Sequence, residues 1–272
     1  MNRKKLIGIF AACIIVVTVV LVISLSGRDP VVAFPDPNLD IAVREALNKP
    51  SGPIHTSELT GLANLTASDG GIKDLSGLQY CANLTDLDLW HNQISDISPL
   101  GNLTNLTYVD LGDNGISDIS ALANLTNLKY LYLYSNQIGD ITPLADLTNL
   151  RDLSLQYNQI NDISPLANLT SLTALDLWHN QISDISPLAN LTSLTHLYLP
   201  LNQISDISVL ANLTNLTEVL LYSNQIADIS PLMDNPGLGE GDHVSLGNNP
   251  LSSDSIRTYI PELRARGVEV DR

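Results

Sequence analysis

Aliphatic residues recur through the middle of the chain at fixed offsets. One unit reads Leu84, Leu87, Leu89, Ile94, Ile97, Leu100, and the pattern returns every 22 residues. An asparagine keeps step with it at Asn92, Asn114, Asn136, Asn158, Asn180, Asn202 and Asn224. A fixed period of that length denotes a stack of one supersecondary unit. Leu87 and Leu89, alternating with polar residues, predict a short strand with one buried face. The asparagine closes the strand. Its amide offers donors and an acceptor, which predicts a ladder inside the coil that satisfies backbone groups at each turn. The remainder of the unit, S-D-I-S-P-L-x-N-L-T, is too short and too rich in Ser, Pro and Asn for a full α-helix. An extended or 3₁₀ return side is expected. The apolar burial available to one unit is offset by the entropy of ordering it, so the array must fold as one domain through contacts between units.

The pattern fades at both ends, as a solenoid's sealing units require. Upstream, Leu62, Leu65, Ile72, Leu75 and Leu78 hold the register, while Gly70 stands at the ladder position and Ala67 at a leucine position. Downstream, Val244, Leu246, Asn249 and Leu251 form one more unit after a three-residue insertion around Gly237–Asp242. Repeats are therefore assigned to residues 62–251, between an N-terminal cap over 35–61 and a C-terminal cap over 252–272. In the first cap, Asp36-Pro37 is a helix start, Leu39, Val43, Ala46 and Leu47 share a face, and Asn48-Lys49-Pro50 is a stop. In the second, Ser252 is an N-cap, Ile256, Tyr259, Ile260 and Leu263 have helical spacing, and Pro261 is expected to kink or split the helix. Gly267 ends it, and Val268–Val270 predicts a last strand.

The run L-x-x-L-x-L-x-x-N-x-I matches the leucine-rich repeat signature. Units such as Leu172–Asn180 followed by Q-I-S-D-I-S-P-L resemble the internalin-type bacterial leucine-rich repeats. The resemblance spans Leu62 to about Leu251 and implies an α/β solenoid: a right-handed superhelix with a concave parallel sheet, a short 3₁₀ or extended convex side, and helical caps. It also implies display outside the cell and binding through the concave face. It names no partner, since partner choice lies in the variable positions. No LPxTG-like sorting motif and no immunoglobulin-like module accompany it, so the resemblance gives no support to a host-invasion role.

Residues 1–5, with Arg3, Lys4 and Lys5, precede twenty mostly apolar residues over 6–25, enough to span a bilayer core of about 30 Å. The basic flank places the following chain outside the cytoplasm. The apolar run is longer than a cleavable signal needs. This favours an uncleaved single-pass anchor over secretion after cleavage, with an imperfect lipobox at Phe10–Cys13 as a third reading. Residues 26–34 read as a linker. Cys81 stands where Leu103 stands one unit later, a buried small hydrophobe.

Charge narrows the function. The formal net charge is −16, and Asp96, Asp118, Asp140, Asp162, Asp184, Asp206 and Asp228 share one slot. Capping of turn amides is the structural reading of that slot, and calcium along the row is the alternative. The acidic balance argues against nucleic acid and anionic headgroups. His91 and His179 occupy identical contexts four units apart, roughly 19 Å at strand spacing, too far to share a metal. No metal site, cofactor motif or catalytic constellation is expected. Nine N-L-T triplets, at Asn64, Asn83, Asn102, Asn105, Asn124, Asn168, Asn190, Asn212 and Asn215, match the glycosylation acceptor but follow the repeat itself.

The variable slots carry the functional signal. Counting x in L-x-x-L-x-L-x-x-N, slots two to five are expected on the concave face. Across seven units these 28 positions hold nine of the chain's thirteen aromatics: Trp90, Tyr108, Tyr130, Tyr132, Tyr134, Tyr157, Trp178, Tyr198 and Tyr222. Exposed Tyr and Trp favour recognition. Strand propensity and cross-strand stacking are the structural alternative, though three tyrosines on one strand exceed it. Tyr130, Tyr132 and Tyr134 are expected in a row, flanked by Tyr108 and Tyr157. Asp86, Asp88, Asp110, Asp113, Asp152, Asp176 and Glu218 occupy the same slots without any Lys or Arg, which appear only beside them as Lys129 and Arg151. The expected ligand-binding set is Trp90, Tyr108, Asp110, Tyr130, Tyr132, Tyr134, Asp152, Tyr157, Asp176, Trp178, Tyr198, Glu218 and Tyr222. An aromatic, acidic groove suits an extracellular protein with a basic segment, or a glycan. A passive structural or self-associating surface component is the remaining class.

Overall fold

The computed structural model describes residues 29–272. Ten three-residue strands form one parallel sheet in chain order: β3 (Asn64–Thr66), β4 (Asp86–Asp88), β5 (Tyr108–Asp110), β6 (Tyr130–Tyr132), β7 (Asp152–Ser154), β8 (Ala174–Asp176), β9 (His196–Tyr198), β10 (Glu218–Leu220), β11 (His243–Ser245) and β12 (Glu269–Asp271). The register is the period itself: Leu87 sits beside Val109, Leu131, Leu153, Leu175, Leu197 and Val219. These middle residues point inward and are fully buried, as are Leu84, Leu89, Ile94, Leu100 and Leu103 of the unit. The first and third residues of each strand point outward. The return side is built of short 3₁₀ turns such as Ser98–Leu100, Ser164–Asn168 and Ser186–Asn190. This is the solenoid the periodicity predicted.

The asparagine ladder joins side chain to backbone rather than side chain to side chain. Asn158 Nδ2 donates to the carbonyls of Leu133 (2.9 Å), Leu155 (3.0 Å) and Gln156 (3.4 Å). Its Oδ1 accepts from Ile138 N at 2.9 Å. Every other rung repeats this, and Asn249 adds one more. The aspartate slot caps turns: Asp96 Oδ1 accepts from Ser98 N at 2.8 Å, and the equivalents to Asp228 do the same. A second, exposed ladder went unread in the sequence. Asn83, Asn105, Asn127, Asn149 and Asn215 donate Nδ2 to carbonyls one unit back. The glycosylation triplets at Asn83, Asn105 and Asn215 thus have their amide nitrogens engaged in holding units together. Cys81 is fully buried, and burial pushes its thiol up to about 12.

The N-terminal cap is a helix, Pro37–Ala46, started by Asp36, whose Oδ1 accepts from Asn38 N and Leu39 N. The other oxygen accepts from Lys73 N and Asp74 N, which ties the cap to the first unit. Burial opposes this charge, but the four backbone donors outweigh it and hold the carboxyl below its ordinary range. Leu39 and Val43 are buried, and Ala42 and Leu47 pack against them; Ala46, expected on this face, is exposed. The helix phase is set by Leu39 and Val43, which leaves Ala46 at the rim. Part of the segment expected as a linker belongs to the cap: β1 (Val31–Val32) pairs antiparallel with β2 (Ile54–His55). Phe34 lies on Gly77, which has φ +107° and where a Cβ would come within 2.5 Å of the ring.

The C-terminal cap differs from expectation at Pro261. The chain runs helically without a break, with a widened π stretch over Ser255–Tyr259 leading into Ile260–Ala265. That register accommodates a residue lacking an N–H. It also turns Ser255 inward, where Oγ donates to Ala227 O at 2.8 Å. Ser252 Oγ accepts from Ser255 N, the capping contact read from the sequence. Strand β12 completes the sheet as predicted. Among the described residues no helix is long and apolar enough to cross a membrane. The apolar run 6–25, read as anchor or signal, lies outside them, as does the basic segment 1–5.

Candidate recognition face

Because the middle residue of each strand is committed to the core, the outer face of the sheet is paved by two rows. The row of first residues reads Tyr108, Tyr130, Asp152, Ala174, His196, Glu218, His243 from β5 to β11. The row of third residues reads Asp110, Tyr132, Ser154, Asp176, Tyr198, Leu220, Ser245. This is the surface that lines the inside of the curved array in this architecture.

Beyond each strand, slot five departs from expectation. His91, Asp113, Ser135, Tyr157, His179, Leu201 and Ser223 all have φ between +52° and +58°, in the left-handed region. Each is the turn residue whose N–H reaches the next unit's carbonyl, as His91 N does to Gly112 O. These side chains stand on the rim of the face rather than on its floor.

Three groups result. The first gathers Tyr108, Tyr130, Tyr132 and Tyr134. Ring centroids of Tyr108 lie 5.6 Å from Tyr132, edge-on, and 6.5 Å from Tyr130. Tyr134 lies past the strand end, its ring laid over Gly112, where a Cβ would be 2.3 Å from Cζ. Tyr134 thus leans on the preceding unit, while Tyr130 and Tyr132 meet Tyr108 across the strands. Among them sits Asp110, pushed up to about 6 by burial and by the charge of Asp88, against the bond donated by Gly112 N. Burial and then the charges of Asp110 and Asp88 raise the Tyr134 hydroxyl to about 12.

The second group is Tyr157, Trp178, His179 and Tyr222. Tyr157 does not flank the tyrosine row as expected. Its rim position turns it to His179, stacked at 4.9 Å, and to Trp178 at 5.0 Å. Trp178 meets Tyr222 edge-on at 6.4 Å, and its Nε1 is buried with no hydrogen-bond partner among the described residues.

The third group was largely missed in the sequence. Glu218 lies between His196 and His243, each 3.9 Å away, and accepts from Tyr198 Oη at 2.6 Å. His243 Nε2 is 2.9 Å from Asp271. The three-residue insertion hid this group, because Glu218 pairs with a residue 25 positions on. At the opposite end, Trp90 packs on His91, whose imidazole is held above its ordinary range by the hydrogen bond it donates to Asp113 and by the charges of Asp113 and Asp69.

Between the first and third groups lies a hollow of about 320 Å³ over β7–β9, bordered by Tyr132, Asp152, Asp176, His196 and Tyr198. Larger hollows, of about 500 and 350 Å³, lie on the N-terminal cap around Ile41 and Glu45, away from these groups. Among the described residues no three His, Cys, Asp or Glu side chains converge to hold a metal ion.

The family of paired leucine-rich repeats matches over residues 82–124, 104–146, 148–190 and 192–232. Internalin C2 of Listeria monocytogenes is 48% identical, with a TM-score of 0.73, over 75% of this chain and 91% of that one. An internalin, InlF, of the same species is 33% identical, with a TM-score of 0.70, over 90% and 87% of the two chains. The leucine-rich repeat ectodomain of the receptor kinase GASSHO1/SCHENGEN3 of Arabidopsis thaliana, solved in complex with Casparian strip integrity factor 2, is 25% identical. Its TM-score is 0.66, over 80% of this chain and 27% of that one. No curated protein matches the chain.

Proposed function

The chain belongs to the leucine-rich repeat family, of the internalin type, and from that membership we propose that it is a surface-displayed binding module that recognises a protein partner through its concave face. Proteins built this way are in general binding scaffolds rather than enzymes. The observation that carries the reading is the pairing of half-exposed aromatic rings with carboxylates that have no lysine or arginine partner. Tyr130 is 38% exposed and Trp90 41%. Asp110, Asp152 and Asp176 are all raised by burial. Rings of this kind supply contact area at low entropic cost, and acidic groups left without a cation favour a basic segment of the partner. The Arabidopsis ectodomain, solved with its factor, supports protein recognition by such arrays. Residues 6–25 hold the module at the membrane in this reading, facing outward.

A glycan is the second occupant, favoured by the stacked Tyr157 and His179 beside Trp178. Capture of partners by the full-length chain, repeated at low and high salt, separates the two. A basic protein is lost as salt screens the charges, whereas a neutral glycan stays bound. Capture abolished by salt supports the protein reading. Salt-insensitive capture of carbohydrate alone overturns it. Recovery of the chain only from the medium, beginning after residue 25, would refute the anchor.

A further inference from the structure

At one place in the middle of the sheet's outer face, two small side chains lie on adjacent strands among larger ones. Ala174 lies between Asp152 and His196 in one row, and Ser154 between Tyr132 and Asp176 in the other. These two small residues, diagonal to each other, open the hollow of about 320 Å³. Asp152 and Asp176 face it from the opposite diagonal, a placement that sets the two residues about 7–8 Å apart at the backbone on adjacent strands. Each has one oxygen engaged: Tyr132 Oη donates to Asp152 Oδ2 at 3.2 Å, and Trp178 N to Asp176 Oδ1 at 3.0 Å. Among the described residues the other oxygens accept no hydrogen bond. No lysine, arginine or histidine among them comes within 4.0 Å of either carboxylate. His196, at the hollow's edge, is turned to Thr195 and Glu218.

We propose that this hollow seats the guanidinium of an arginine carried by a segment of the partner protein, bridging Asp152 and Asp176 across Ala174. The inference rests on the protein-binding reading of the concave face and sharpens it to a chemical group. A planar guanidinium has five N–H donors in a fixed fork and can serve two carboxylates at once. An ammonium is a compact, strongly hydrated charge that satisfies one and leaves the other desolvated. The Tyr132 ring beside the hollow gives the cation an aromatic neighbour. Burial, followed for Asp176 by the charge of Asp152, holds both carboxyls above their ordinary range. An arriving cation relieves that cost, while a neutral sugar does not.

The test uses the Ala174 methyl as a reporter on the floor. The full-length chain, labelled at alanine methyls, is titrated at pH 7.5 with three peptides of the form acetyl-Gly-Gly-Xaa-Gly-Gly-amide, Xaa being arginine, lysine or citrulline. The Ala174 signal is expected to shift saturably with the arginine peptide, to respond roughly tenfold more weakly to lysine, and not to saturate with citrulline. Ala121, on the return side, stays fixed. Asp176→Asn, whose amide oxygen still accepts from Trp178 N, abolishes the response, and Ala174→Leu fills the hollow and blocks it. An unmoved Ala174 signal, equal titration by the three peptides, or an unchanged titration in Asp176→Asn overturns the proposal. None of these bears on the broader reading, which is decided by partner binding to variants in the tyrosine group.

Discussion

Asp176→Asn is expected to make the protein more stable at neutral pH, although it removes a native charge. Asp176 ends β8 on the outer face of the sheet, and burial with the charge of Asp152 raises it from 3.8 to about 6 despite the bond from Trp178 N. A rise of about two units corresponds to about 3 kcal/mol lost on ionising the folded protein. Partial access to solvent trims this to about 1–2 kcal/mol. Asparagine removes the charge and retains the acceptor for Trp178 N. The sign follows from linkage. The folded carboxyl binds its proton more tightly than the unfolded one, so folding is favoured at low pH. That advantage fades as pH rises from about 4 through 6 and is gone at 7.5. The variant should therefore gain about 1–2 kcal/mol at pH 7.5 and nothing near pH 4. Urea unfolding followed by circular dichroism at both values measures the difference. Destabilisation at pH 7.5, or an equal difference at both values, refutes the claim that Asp176 is held charged at a cost to the fold.

Other expectations follow from the same geometry. Asn158→Ala should destabilise the array by about 1–3 kcal/mol, because the Ile138 N–H and the Leu133 and Leu155 carbonyls lose buried partners; an unchanged melting temperature would contradict it. Leu201 has φ +53° and a half-exposed side chain, so Leu201→Asn should stabilise by about 0.5–1 kcal/mol, since asparagine visits that region more readily; a lower melting temperature would argue that the leucine packs usefully. Gly112→Ala should leave the fold intact and displace the Tyr134 ring, read as a change in near-ultraviolet circular dichroism; an unaltered spectrum would show that the ring lies elsewhere.

The repeat is legible in the sequence because each coil spends the same seven inward positions on leucine and isoleucine, one on asparagine and one on aspartate. Those residues fix strand, ladder and turn in turn. The left-handed rim was not legible. Its usual marker is glycine, and here His91, Tyr157 and Leu201 adopt it because the turn's N–H bond to the next unit demands it. Tyr157 was consequently assigned to the wrong aromatic group. The Glu218–His243 contact was lost when the insertion changed the spacing from 22 to 25 residues. Leu39, Val43 and Ala46 share helical spacing in the sequence, but Leu39 and Val43 set the phase of the folded helix and leave Ala46 at its rim. The hollow at Ala174 has no marker in the sequence, because it is made by small residues, Ala174 and Ser154, at slots where the other units vary freely.

The central claim is that the tyrosine group on the concave face binds the partner. Tyr132→Ser with Tyr134→Ser removes two outward rings and leaves the buried Leu131 and Leu133 in place. Asn168→Arg with Asn190→Arg, exposed on the 3₁₀ return side, is the matching control. The measurement is the dissociation constant of the captured partner for these two variants and the unaltered chain. A loss of about 2 kcal/mol or more in the tyrosine variant, with the control unchanged, is the predicted result. Unchanged binding in the tyrosine variant, with loss in the control, would contradict the account.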